Sequence, residues 1–120
     1  SLTINVLFYA QEVLAPVSLE VMTLQGLVQF VQRVEAIQEF HPDIRLKYVL
    51  PTFLDRRVKK SEEILGQLQA YYGPELCEPI RYNVRLSEAP GLGRTIYEYD
   101  PTCPGAEDYQ KLTERIARDG

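Results

Sequence analysis

What most constrains this chain is an alternation. Short apolar runs rich in β-branched residues take turns with stretches whose apolar residues recur every three or four positions. Residues 12–17 (Glu-Val-Leu-Ala-Pro-Val) read as a strand, with Pro16 at its end, where a missing N–H donor is tolerated. After connecting residues 18–23, the residues Leu24, Leu27, Val28, Val31, Val34 and Ile37 form one helical stripe. Thr23 can cap that helix with its hydroxyl, and Pro42 disfavours helical geometry just before it, so the helix should stop near Phe40. Residues 44–53 read as the next strand, with Pro51 towards its end. Ser61 is the expected cap of a second helix, with Glu62 and Glu63 favourably placed against the N-terminal dipole. Ile64, Leu65, Leu68 and Tyr72 supply its buried stripe, and Gly73-Pro74 should end it with a left-handed glycine. Residues 76–80 read as a third strand. Residues 105–119 read as a last helix, with Pro104 near its first turn and Tyr109, Leu112 and Ile116 on one stripe. Strands alternating with helices imply parallel pairing and helices on both faces, hence an α/β fold. Residues 2–10, apolar at almost every position, read as a short buried helix. A chain opening inside a buried element is expected to be part of a larger fold.

With 120 residues, 45% of them apolar, the chain has room for one domain and material for its core. A formal net charge of −4 argues against a generally basic binder but leaves local patches open. Cys77 and Cys103 have no metal-ligand spacing and suggest no disulfide framework, as expected of thiols in a reducing cytosol. His41 is the only histidine, which excludes a histidine-rich metal site; beside Pro42 it reads as structural. The sequence shows no signal peptide, membrane span, low-complexity tract or internal repeat.

In open α/β sheets ligands bind outside the carboxyl ends of the strands. Two loops at such ends are notable. One is Asp55-Arg56-Arg57-Val58-Lys59-Lys60; the other is Asn83-Val84-Arg85-Leu86-Ser87-Glu88-Ala89-Pro90, followed by Gly91-Leu92-Gly93. In a parallel sheet they share a rim, which collects Arg56, Arg57, Lys59 and Lys60 with Arg81, Arg85 and Arg94. A basic rim on an acidic protein suits sequence-independent DNA binding, because phosphate contacts supply affinity without reading bases. Charge alone favours the plainer alternative, a solvated face paired with Asp55, Glu62 and Glu63. Asp55 reads as an orienting partner for Arg57, and Glu88, without a second carboxylate, as a hydrogen-bonding residue. Gly91-Leu92-Gly93 is too short for a phosphate loop, and Tyr97, Tyr99 and Tyr109 read as core residues.

The run Asn83 to Pro90, with Tyr99-Asp100-Pro101 and Gly105-Ala106-Glu107-Asp108-Tyr109 downstream, closely resembles the C-terminal half of the ParA/Soj partitioning ATPases, which are deviant-Walker P-loop proteins. Leu2-Thr3-Ile4-Asn5 and Val13-Leu14-Ala15-Pro16-Val17 fit the segments that follow the family's Walker B strand, so the resemblance covers essentially the whole chain. It implies the C-terminal half of a P-loop NTPase-like fold, a mostly parallel sheet flanked by helices, in one domain of residues 1–120. In that family an arginine after Thr-x-x-Asp-x-Arg and the arginine of Asn-Val-Arg-Leu-Ser-Glu-Ala-Pro bind DNA without sequence preference. They match Arg57 and Arg85 here, and with them the DNA-binding reading overtakes the plainer one. The family's base-contacting Pro-Arg-Asn reads Arg81-Tyr82-Asn83, retaining the asparagine, whose amide can pair with an adenine edge. Tyr82 could stack on a base or only fill space.

No Gly-x-x-x-x-Gly-Lys-Ser/Thr run and no Walker B aspartate is present. The chain alone is therefore expected to hydrolyse no ATP and to bind no cofactor tightly, with ATP and Mg2+ serving the intact protein. The resemblance further implies a cytoplasmic, nucleoid-associated homodimer that acts with a ParB-like partner and not at a membrane. Two alternatives stand: a non-enzymatic DNA- or partner-binding module from a truncated gene, and, less favoured, a MinD-like positioning ATPase, whose basic membrane helix has no counterpart here.

Overall fold

A computed structural model of the chain describes residues 7–9, 11–81 and 104–119. Strand β1 (Leu7–Tyr9) pairs antiparallel with β2 (Glu12–Ser18), and β2 pairs parallel with β3 (Arg45–Thr52), in the order β1-β2-β3. Helix α1 (Leu24–Phe40) makes the crossover between β2 and β3; α2 (Lys59–Tyr71) follows β3, and α3 (Pro104–Asp119) closes the described chain. The fold is α/β, with a parallel strand pair flanked by helices, as the alternation predicts.

Residues 7–9 correct the expectation of a buried helix over 2–10: they form a strand, and the remainder of that stretch lies outside the described residues. An apolar run has no period, so it fits a covered strand as well as a buried helix. The register Tyr9↔Glu12 then settles it by antiparallel pairing with β2.

Pairing explains the rest of the sheet. Between Val13 and Leu14 the register with β3 skips from Leu46 to Tyr48, so Lys47 is an extra residue in β3. Such a bulge reverses which residues face which side. Leu46 and Val49 consequently join the cluster under α1 and α2, while Tyr48 and Leu50 face the other cluster. The expected third strand runs parallel to β3 but is reduced to two bridges, Val49↔Leu76 and Leu54↔Arg81. Val49 N–H donates to Glu75 and Cys77 N–H to Val49; then Pro51 and Pro79, lacking N–H donors, interrupt the ladder, and Ile80 N–H reaches the Pro51 carbonyl instead.

The main core lies under α1 and α2: Ala15, Val17, Leu27, Phe30, Val49, Ile64 and Leu68 are all buried there. Thr23 caps α1 as expected, its hydroxyl accepting from Gly26 N–H at 2.9 Å. Gly26 is buried beneath this cap, where a Cβ would come within 3.1 Å of the Met22 sulfur. Two helix ends differ from expectation. Helix α2 starts at Lys59, with Val58 in the capping position and no side-chain cap; Ser61 is buried inside the first turn. At its other end Tyr72 closes the helix through its N–H to Leu68, and Gly73 is not left-handed. On the opposite face of the sheet, Tyr109 and Leu112 of α3 pack against Tyr48, Leu50, Cys77 and Ile80, whereas Ile116 is exposed.

Candidate functional site

Because β2 and β3 are parallel, the residues after each emerge at one edge of the sheet. Residues 19–23 follow β2 and residues 53–58 follow β3, and Leu19 N–H donates to the Thr52 carbonyl to hold them side by side. Residues 76–81 run the same way, so Arg81, bridged to Leu54, reaches this edge as well. The turn out of β3 is tight enough to place Phe53 at φ 54, a left-handed conformation in which a bulky side chain is strained. A cleft of about 270 Å³ opens here, lined by Leu19, Phe53, Asp55, Arg57, Lys60 and Ser61 among others.

Each basic residue of the turn has a definite setting. Arg57 is 82% exposed, and its guanidinium is gripped by Asp55: Nε donates to Oδ1 at 2.9 Å and Nη2 to Oδ2 at 2.8 Å. The Arg57 backbone N–H also donates to Asp55 Oδ1, at 3.0 Å. Asp55 is thus the orienting partner expected from the sequence, and the hydrogen bond from Arg57 holds its carboxyl below the usual range. Arg56 pairs with Glu62 at 2.9 Å, and Lys60 Nζ lies 3.4 Å from the Glu20 carbonyl oxygen. Lys59, the first residue of α2, is exposed. The edge therefore brings together Arg56, Arg57, Lys59 and Lys60; Tyr82, Asn83, Arg85 and Arg94 lie outside the described residues.

Arg81 is drawn the other way, into α3. Its backbone N–H donates to Asp108 Oδ2 at 2.8 Å, its Nε to the same oxygen at 3.0 Å, and its Nη2 to Oδ1 at 3.0 Å. Glu107 adds a contact at 3.3 Å, and the Asp108 side chain is only 5% exposed. These hydrogen bonds, with Asp108 the largest contributor, push the Arg81 guanidinium further up. Sequence reading missed both carboxylates. They sit in the opening turns of α3, where acidic residues are unremarkable, and only the packing of that helix brings them to Arg81.

At the opposite end of α3, Tyr48 donates its hydroxyl to Asp119 at 2.9 Å, and Arg115 lies over the Tyr48 ring, 5.3 Å from its centroid. Arg115 also donates to the Leu76 and Pro74 carbonyls at 2.7 and 2.8 Å. Nearby Cys77 is buried, which pushes its thiol up. No described helix is long and apolar enough to cross a membrane.

The architecture is that of an open α/β protein whose loops gather at the carboxyl edge of a parallel strand pair. No family model matches the sequence. Individual relatives do: the chromosome-partitioning ATPase Soj of Treponema pallidum is 38% identical over 99% of this chain. Soj of Thermus thermophilus is 36% identical over 96%, and the sporulation initiation inhibitor protein Soj of Bacillus subtilis is 36% identical over 99%. The chain spans about half the length of these curated relatives, 47% to 48%. These relatives, Soj partitioning ATPases, match the chain along nearly its whole length, which bears out the resemblance seen in its motifs.

Proposed function

We propose that this chain is the part of a ParA/Soj-type ATPase that presents the DNA-facing edge in chromosome or plasmid segregation, and that it contributes to the adenine pocket and dimer surface. The observation that carries this is Arg57. It is 82% exposed at the carboxyl edge of the parallel strands, in a Thr-Phe-Leu-Asp-Arg-Arg run that matches the resembled family's DNA-binding segment. Its pairing with Asp55 is solvent-exposed, and such pairs are weak because water and salt screen them. A DNA phosphate can therefore compete for the guanidinium, and release of condensed counterions supplies the affinity.

In this role Arg57 and Arg85 make the principal phosphate contacts, with Arg56, Lys59 and Lys60 adding to the field. ATP and Mg2+ are cofactors of the whole protein, and Tyr82 and Asn83 serve the adenine pocket. Dimerisation around ATP presents two copies of each arginine loop to one duplex, which multiplies affinity. A ParB-like partner ends that state by stimulating hydrolysis, and the chain alone turns over no ATP. The test is DNA binding by the full-length gene product, with ATP, across a salt series. Arg57→Ala should weaken binding and reduce the salt slope by about one for each phosphate no longer neutralised. An unchanged slope would defeat the proposal.

A further inference from the structure

Arg81 stands where two parts of the fold meet. On one side it ends the parallel run beside β3 through its bridge to Leu54, whose N–H donates to the Ile80 carbonyl at 3.0 Å. On the other side Asp108 takes its backbone N–H, Nε and Nη2, all at 2.8 to 3.0 Å. A carboxylate this deeply buried needs such partners, because losing water without them is strongly unfavourable. The backbone bond matters most for geometry: it holds the main chain at residue 81, not only a flexible side chain.

What the pair holds is informative. Leu54 directly precedes Asp55, and Asp55 grips Arg57. A continuous bonded line thus runs from Asp108 through Arg81 and Ile80 to Leu54, and on to the Asp55–Arg57 turn. Arg81 and Asp108 are 27 residues apart, and the sequence between them contains Arg85. One ion pair therefore ties the exit of β3, the exit of the neighbouring parallel run and the start of α3 to a common point.

Resting on the DNA-facing role proposed above, we infer that Arg81 is a positioning residue and not a nucleotide or DNA contact: locked onto Asp108, it sets the Asp55–Arg57 turn against the end of the neighbouring parallel run and the start of α3. This assigns a task to Asp108 whose sign can be checked. Asp108 is an anion, so on charge alone its neutralisation should tighten binding to a polyanion. If it positions the Asp55–Arg57 turn, neutralisation should loosen binding.

The experiment uses the full-length gene product with ATP and a short random-sequence duplex, titrated at several salt concentrations. ATP affinity and thermal melting are measured alongside. Asp108→Asn and Arg81→Gln should weaken DNA binding to similar extents and each reduce the salt slope by about one, at temperatures where both variants are folded. Glu107→Gln makes the same charge change at the exposed partner and should not weaken binding. Should Asp108→Asn fail to fold, Arg81→Lys, which keeps the charge but loses the fork, should give an intermediate reduction of slope. Wild-type or tighter DNA binding by a folded Asp108→Asn protein, or by Arg81→Lys in its place, would overturn the inference. So would loss of ATP binding in Arg81→Gln but not Asp108→Asn, which would make Arg81 a nucleotide ligand. Arg57→Ala is measured in parallel: if it leaves the slope unchanged, the DNA-facing role itself fails and this inference falls with it.

Discussion

The two faces of the sheet are held by different physics. Beneath α1 and α2 the packing is almost wholly apolar, and Leu19, Val49, Ile64 and Leu68 are all 0% exposed. Beneath α3 the apolar patch is smaller, and polar clamps stand at both ends of the helix. Arg81 and Asp108 hold its start; Tyr48, Arg115 and Asp119 hold its finish. Hydrophobic burial is non-directional and scales with area, so it stabilises a helix without fixing its position finely. Hydrogen-bonded charges depend on geometry, so they register the helix against the strand ends. The face whose helix meets the carboxyl edge through Arg81 is the one held by clamps.

This contrast can be broken or sharpened by substitution in the full-length protein. The largest effect is expected at Phe30, which is 2% exposed and meets the Tyr72 ring edge-on at 5.9 Å. Phe30→Ala should cost about 3–5 kcal/mol in urea denaturation, through forfeited transfer energy and the cavity left behind. If it cost less than removal of a clamp hydroxyl, the apolar face would not be the main source of stability. Tyr48→Phe comes next, at about 1.5 kcal/mol, the usual worth of a hydrogen bond to a charged acceptor. It also carries a pH prediction. Burial, then the hydrogen bond to Asp119, pushes the Tyr48 phenol from 10.0 up to about 12. Burial, then Glu35 and Glu75, does the same to Tyr72. A phenol raised in the folded state stabilises fully below the unfolded pKa, and that stability is lost as pH rises from about 10 towards 12. Melting temperature should therefore fall over that range in the wild type, and fall less steeply in Tyr48→Phe. An identical decline in both would mean that Tyr48 ionises as freely folded as unfolded. The smallest effect is at Thr23. Thr23→Ala removes the cap of α1 and should cost about 1 kcal/mol, leaving the alkaline profile unchanged.

Much of this was readable beforehand. The helix over residues 24–40, its Thr23 cap, the strands around residues 12–17 and 44–53, and the closing helix all followed from periodicity and from turn residues. Those signals are local, set by neighbours within a few positions. Three features carried misleading local signals. Residues 7–9 had no period to choose between helix and strand. Ser61 has the chemistry of a cap, but α2 begins earlier, at Lys59, and buries it. Gly73 could have taken a left-handed cap, yet Tyr72 closes the helix without one. At the candidate site the basic turn and the Asp55–Arg57 pairing were legible, since the partners are two residues apart.

On its own, the order of residues determined the α/β class, the family likeness and which loop carries positive charge, because each is written in short runs of chain. Only the packed molecule decided that Lys47 bulges and reverses the facing of β3, that two prolines cut the third parallel run to isolated bridges, and that Arg81 turns towards Asp108. Each of those outcomes depends on partners far apart in sequence, and two distant residues can meet only once the chain has closed on itself.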